Sequence, residues 1–92
     1  MANKNNNLNM VELTLYQFKQ CPFCAKVRAK LDQLGLQYKM INVSHDRSDS
    51  LRKELVKNSS VATVPVLKMS WKGKETYLGE SEAIINYLAE NY

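Results

Sequence analysis

The sequence is poor in the residues that mark several large classes of protein. Its 92 residues include only two cysteines, two prolines, three glycines and one histidine, and they contain no long apolar run. Two cysteines cannot build the disulfide framework of a small secreted domain, and without a long apolar run no helix is expected to span a membrane. Neither internal repeats nor low-complexity stretches follow Met10. The length suits one domain with a single core.

The first ten residues differ from the rest of the chain. They include five asparagines and no apolar run, and they match neither a secretory signal nor a membrane anchor. We therefore predict a disordered N-terminal lead-in over 1–10 and one domain over 11–92. Without an export signal the expected location is the cytoplasm. In that reducing compartment a single cysteine pair is more often catalytic or metal-binding than structural.

The charge pattern limits the kinds of partner. The formal net charge is +4, and the lysines and arginines are spread along the chain rather than gathered in one run. Dispersed charge of this kind suits a solvated surface or a small acidic ligand better than nucleic acid. We expect neither a nucleic-acid nor a membrane partner, and we expect a monomer.

The apolar spacing in the first half predicts a strand, a helix and a second strand. Apolar and polar residues alternate over 11–16, which is the period of a strand. From Pro22 to a stop at Gly35 the apolar residues recur at helical spacing, at Phe23, Val27, Leu31 and Leu34. Residues 38–43 form a short β-rich stretch. A strand joined to the next through a helix favours a parallel pair with a right-handed crossover.

The second half predicts a helix, a hairpin and a final helix. Serines and Asp49 can cap a helix whose inward side is Leu51, Leu55 and Val56. Residues 65–69 and 75–78 read as strands on either side of the turn 72–74. Ser81 is expected to cap the last helix, whose apolar side is Ile84, Ile85, Tyr87 and Leu88. The predicted order is βαβαββα.

The two cysteines stand at the predicted start of a helix, in Cys21-Pro22-Phe23-Cys24. A disulfide between them closes too small a ring to stabilise the fold much. A thiol is nucleophilic only as its thiolate, and a helix N-terminus favours an anion by about 0.3–1 kcal/mol, at most about 2. Lys19 and hydrogen bonds from nearby amides and from the second thiol can add to this effect. The motif therefore indicates redox chemistry.

Position along the helix predicts different roles for the two sulfurs. Cys21 should lie at the exposed turn and act as the attacking thiolate, whereas Cys24 should lie one turn further in and act as the resolving thiol. Half of a zinc site and an inert pair remain as alternatives. A structural zinc site needs four ligands, and only His45 is available to join the two thiolates, so we expect no metal.

Three segments together resemble the glutathione-contacting segments of glutaredoxins. They are Cys21-Pro22-Phe23-Cys24 after a strand, Thr63-Val64-Pro65 before another, and Gly79-Glu80-Ser81-Glu82 at the opening of the last helix. The resemblance covers roughly residues 11–90. It implies a thioredoxin-like (glutaredoxin) α/β fold, with a mixed four-stranded sheet flanked by helices. The segment that opens the last helix is closer to the N-terminal domain of glutathione transferases than to many glutaredoxins.

The resemblance also implies which residues contact the cysteinyl and glycyl parts of glutathione. Pro65 is expected to be cis beside the cysteines, next to Thr63, and to leave the Val64 backbone free to pair with the cysteinyl part. Phe23 is expected to border the ligand. Lys19 is expected at the glycyl carboxylate, although many glutaredoxins carry the basic residue one position earlier.

The opening of the last helix is implied to hold the γ-glutamyl end of glutathione. Ser81 and Glu82 lie where free backbone amides would receive its carboxylate, a use of helix N-termini that is common for anions. The carboxylate of Glu80 would meet the ammonium group. Plain capping of the helix is the alternative for these residues.

The function implied by the resemblance is that of a dithiol oxidoreductase in cell redox homeostasis. Glutathione is the co-substrate, and the substrates are glutathionylated proteins and also proteins with disulfides. Two glutathione-binding alternatives remain. One is an iron–sulfur cluster carrier in which two chains share a cluster through Cys21 and glutathione, and the other is a transferase-like domain without redox cycling.

Overall fold

The computed structural model describes residues 11–92, so the lead-in predicted for residues 1–10 lies outside the described residues. The elements follow the predicted order βαβαββα. They are β1 (Glu12–Gln17), α1 (Pro22–Gln33), β2 (Lys39–Asn42), α2 (Ser50–Ser59), β3 (Val66–Trp71), β4 (Lys74–Gly79) and α3 (Ser81–Asn91). Within residues 11–92 no helix is long and apolar enough to cross a membrane.

The four strands form one mixed sheet in the order β2-β1-β3-β4. β1 pairs in parallel with β2 and antiparallel with β3, and β3 pairs antiparallel with β4. The parallel pair is joined through α1, because parallel strands need a long crossover, whereas β3 and β4 form a hairpin. Its turn places Lys72 at φ 51° and Gly73 at φ 79°, the two positive values typical of a tight two-residue hairpin turn. The predicted fold class is confirmed.

The sheet has a separate apolar core on each face. Leu13 and Leu15 of β1 point to the face covered by α1 and α3, where they pack with Val27 and Leu88. Thr14 and Tyr16 alternate with them, and Tyr16 packs on the face covered by α2. The second core also contains Cys24, so the cysteine motif is anchored in the layer between the sheet and α2.

The helix ends follow from local chemistry. Gly35 has φ 68° just after α1, which confirms the predicted stop, since glycine adopts a left-handed conformation at little cost. Asp49 caps α2 through a carboxylate oxygen that accepts from the Leu51 amide at 3.0 Å and the Arg52 amide at 3.2 Å. This capping bond confirms the role predicted for Asp49.

Two predictions about inward helix faces were wrong. Val56 is 41% exposed, because α2 turns Arg52, Leu55 and Ser59 inward at helical spacing instead. Phe23, expected on the apolar stripe of α1, is 57% exposed in the first turn, beyond the edge of the core. On the inward face of α2 the buried Arg52 is held by the backbone carbonyls of Ser44 and Ala62.

Candidate functional site

Cys21 occupies the N-cap of α1. Its backbone is extended, with φ −149° and ψ 113°, and its Sγ accepts a hydrogen bond from the Cys24 amide at 3.2 Å. The N-cap position usually carries an oxygen that satisfies a free amide of the first turn, and here a sulfur does so. An anionic sulfur at this point gains an amide donor and the positive end of the helix dipole. Pro22 follows at the first helical position, where its missing amide hydrogen is not needed.

Cys24 lies in a different environment from Cys21. It is completely buried beside Tyr16, Val64 and Val66, whereas Cys21 is partly exposed. Burial raises the pKa of the Cys24 thiol to about 12, and its hydrogen bond with Cys21 acts in the same direction. Cys24 is therefore a protonated thiol at neutral pH, and of the two sulfurs only that of Cys21 is open to a substrate.

The segment Thr63-Val64-Pro65 lies against the cysteine motif. Val64 is buried in the same cluster as Cys24, and Cys21 packs against that cluster. The Val64–Pro65 peptide bond is cis, as the resemblance implied. Pro65 itself is buried just before β3, and Thr63 is exposed. The first two of the three segments are thus brought together around the sulfurs.

The third segment is brought beside the second by the pairing of β3 with β4. Val66 is the register partner of Gly79, so the chain that leaves β4 at Glu80 runs next to the chain that enters β3 after Pro65. The expectation that Ser81 caps α3 was wrong: Glu80 is the N-cap, at φ 73° and without a side-chain capping bond, and Ser81 is the first helical residue. The Glu80 side chain therefore leaves the amides of the first turn of α3 without the usual N-cap hydrogen bond.

The remaining predicted contacts lie on the rim of the site. Lys19 is exposed in the loop before Cys21, and Glu80 and Glu82 are exposed at the start of α3. Phe23 projects from the first turn of α1, with the Lys26 Nζ 5.7 Å from its ring centroid. Their contacts with glutathione stay predictions.

Sequence reasoning missed a stack of side chains beside the cysteine loop. Phe18 stacks on His45 with ring centroids 4.0 Å apart and an interplanar angle of 20°. The guanidinium carbon of Arg52 lies 5.1 Å from the Phe18 ring centroid, within the range of a cation–π contact. His45 is exposed, as expected for a loop histidine, and its ring is part of this stack. Helical spacing of Arg52 with Leu55 and Ser59 was the signal that would have placed Arg52 inside.

Among residues 11–92 no group of three or more histidine, cysteine or acidic side chains is gathered as a metal site would require. His45, the only residue proposed to join the cysteines around zinc, stacks on Phe18 instead. The described arrangement supplies a thiol at a helix start, a buried second thiol, and two backbone segments beside them.

Comparison with protein families and curated proteins gives a consistent relationship. Residues 15–92 match the model of the glutathione S-transferase N-terminal domain. Prostaglandin E synthase 2 of Mus musculus is 40% identical over 80 residues, which is 87% of this chain and 20% of that protein. Glutaredoxin 1 of Rickettsia felis is 32% identical over 53 residues, which is 58% of this chain and 52% of that protein. The chain thus spans about a fifth of the length of the synthase.

Solved structures agree with these matches. Glutathione transferase E6 from Drosophila melanogaster superimposes with a TM-score of 0.72 at 33% identity, covering 88% of this chain and 35% of that chain. The omega-class transferase 2S from Trametes versicolor, solved with 2,4-dihydroxybenzophenone, has a TM-score of 0.71 at 18% identity, with 88% of this chain and 38% of that chain covered. At that identity the second match supports the fold alone.

Proposed function

Because this chain belongs to the glutathione S-transferase N-terminal domain family, we propose that it handles glutathione, and that it does so as a glutaredoxin-type dithiol oxidoreductase. It reduces glutathione mixed disulfides, and also protein disulfides, with glutathione as electron donor. The observation that carries this proposal is the unequal environment of the two thiols. Cys21 is accessible at a helix start, and Cys24 is buried one turn away with its pKa raised to about 12.

The first step is attack by the Cys21 thiolate on the glutathione sulfur of a mixed disulfide. A bond forms between Cys21 Sγ and that sulfur, the original disulfide bond breaks, and the substrate leaves as its thiolate. The hydrogen bond from the Cys24 amide and the helix start stabilise the anionic sulfur of Cys21 before the attack.

Two routes complete the cycle. In the monothiol route a second glutathione thiolate attacks the bound glutathione sulfur, which releases oxidised glutathione and restores the Cys21 thiolate. In the dithiol route Cys24 loses its proton and attacks Cys21 Sγ, so that a Cys21–Cys24 disulfide forms and glutathione leaves reduced. Two glutathione molecules then reduce this disulfide. In the reduced protein burial keeps the Cys24 thiol protonated, so the dithiol route includes the loss of that proton.

The glutathione site is proposed to run from the cysteines across the two neighbouring segments. Val64, before the cis Pro65, offers backbone groups to the cysteinyl part. Ser81 and Glu82 offer the amides at the start of α3 to the γ-glutamyl carboxylate, and Glu80 meets its ammonium group. This placement is supported by the register that sets Gly79 beside Val66.

Turnover of a glutathionylated peptide with Cys21→Ser and Cys24→Ser variants tests the proposal. We expect Cys21→Ser to lose activity by at least about 100-fold, because it removes the attacking group, and Cys24→Ser to keep the monothiol reaction. Mass spectrometry of Cys24→Ser after exposure to oxidised glutathione should show one glutathione on Cys21. Equal loss in both variants would contradict the assigned roles.

The same measurements separate this function from a transferase-like domain without redox cycling. Such a domain would bind glutathione, but Cys21 would form no mixed disulfide and the wild type would show no reversible Cys21–Cys24 disulfide.

We further propose a monomer acting in the cytoplasm on glutathionylated proteins. The dispersed basic charge of the chain suits acidic glutathione as a ligand.

A further inference from the structure

Arg52 is a buried cation whose partners are backbone carbonyls rather than a carboxylate. The residue is 4% exposed, on the first turns of α2. Its Nη1 donates to the Ser44 carbonyl at 2.8 Å and its Nη2 to the Ala62 carbonyl at 3.4 Å. No ion pair of Arg52 occurs among residues 11–92. A buried charge is costly unless it is well hydrogen-bonded, so this arrangement needs a reason.

The partners of Arg52 belong to the three loops that surround the cysteines. Ser44 lies between β2 and α2, and Ala62 lies between α2 and β3, one residue before Thr63. Phe18, whose ring lies against the guanidinium, is in the loop between β1 and Cys21. One side chain thus connects segments that are far apart in the sequence.

The chemistry of the connection requires an arginine. The planar guanidinium directs its N–H groups along fixed lines to two carbonyls while its central carbon lies over the Phe18 ring, 5.1 Å from the centroid. A lysine carries all its donors on one nitrogen, so it cannot reproduce the two separated N–H directions of the guanidinium from the same place over the ring. A buried apolar residue of similar length would leave the Ala62 carbonyl without this donor.

We propose that Arg52 is a positioning residue for the glutathione site: it holds the Ala62 carbonyl and the Phe18 ring, and thereby sets the Thr63-Val64 backbone relative to Cys21. The inference rests on the proposed function, because the ligand it serves is the glutathionyl group. Arg52 itself touches neither the substrate nor the reacting sulfurs. Its effect should therefore appear in binding more than in the chemical step.

The test compares Arg52→Met and Arg52→Lys with the wild type in turnover of a glutathionylated peptide. We expect the apparent KM for the peptide to rise by about 3- to 30-fold in Arg52→Met and by less in Arg52→Lys, with kcat within about twofold. The rate at which iodoacetamide alkylates Cys21 should also stay within about twofold, since that small reagent needs no glutathione site. A general loss of structure would change all three readouts together.

A matched control variant lowers the stability of the protein without changing the loops that contact Arg52. Leu13→Ala empties part of the core on the opposite face of the sheet, at the end of β1 remote from the cysteines, and is expected to leave the apparent KM unchanged. Assays are run at a temperature at which circular dichroism shows every variant folded. If Arg52→Met does not fold, the test uses Arg52→Lys and the wild type alone. A raised apparent KM is expected for Arg52→Lys as well.

The outcomes distinguish a failure of the positioning role of Arg52 from a failure of the proposed function. If the wild type turns over the peptide and the Arg52 variants have the same KM as the wild type, the positioning role alone is overturned. A raised KM in Leu13→Ala equal to that in the Arg52 variants also overturns it, because the effect would then be one of stability. A wild type that turns over no glutathionylated peptide overturns the proposed function, and the positioning role with it.

Discussion

The buried thiol of Cys24 should make the stability of the reduced protein depend on alkaline pH. In the folded protein its pKa is raised from 9.0 to about 12, chiefly because burial disfavours the thiolate. Between these values the folded protein keeps a proton that the unfolded chain has lost. The part of the free energy of unfolding that depends on this protonated thiol is therefore fully present below about pH 9. It is lost as the pH rises towards 12.

The size of this effect follows from the difference between the two pKa values. One pKa unit corresponds to about 1.4 kcal/mol of free energy. Relative to pH 8, the free energy of unfolding should fall through Cys24 by about 1.4 kcal/mol at pH 10 and about 2.7 kcal/mol at pH 11. Small domains have total stabilities of about 5–15 kcal/mol, so the loss is measurable.

Urea unfolding of the wild type and Cys24→Ala, both kept reduced, isolates the contribution of the thiol. Burial also raises the pKa of Tyr38, Tyr77 and Tyr92, but these tyrosines are common to both proteins and cancel in the difference. Cys24→Ala should be less stable at pH 8, and its deficit should shrink as the pH rises. A deficit that stays constant to within about 0.5 kcal/mol from pH 8 to 11 would refute the reasoning.

Two further predictions concern the segment in which β4 ends and α3 begins. Ser81→Ala should raise the apparent KM for a glutathionylated peptide by about 2- to 10-fold with little change in Tm, because it removes a side-chain hydroxyl beside the backbone amides that are proposed to receive the γ-glutamyl carboxylate. Ser70→Ala on β3 is its control, and equal effects of the two would count against that site. Gly79→Ala should destabilise the protein by about 1–3 kcal/mol in thermal unfolding, because an added Cβ would collide with Cγ2 of Val61. The double variant with Val61→Ala should recover most of the loss, and no recovery would mean that the contact is not the cause.

Local patterns in the sequence were enough to predict the helices and strands. Strand alternation, helical spacing and the stop at Gly35 depend on neighbours within a few residues, so the order βαβαββα could be predicted. The location of Cys21 at a helix start is equally local, since Pro22 favours the first helical position. The association of the three glutathione segments came from resemblance to a family and not from any local rule.

The tertiary structure decided which groups are buried and which segments meet. The pairing of Val66 with Gly79 sets the start of α3 beside the cis Pro65, although the whole hairpin of residues 66–79 separates them. Burial of Cys24 on the α2 side of the sheet gives its thiol a raised pKa, which spacing in the motif cannot supply. Contacts of this kind depend on the packing of distant elements.

Arg52 shows the same difference, within one helix, between what local sequence and what tertiary packing decide. The sequence by itself determined that α2 exists and offered Asp49 among the residues that can cap it, because both depend on residues within one turn. It suggested Val56 for the inward face, since an apolar side chain is the usual choice there. Only the folded chain brings the carbonyls of Ser44 and Ala62 and the ring of Phe18 to one point. These partners satisfy the guanidinium, so a charged residue is buried and an apolar one is left in solvent.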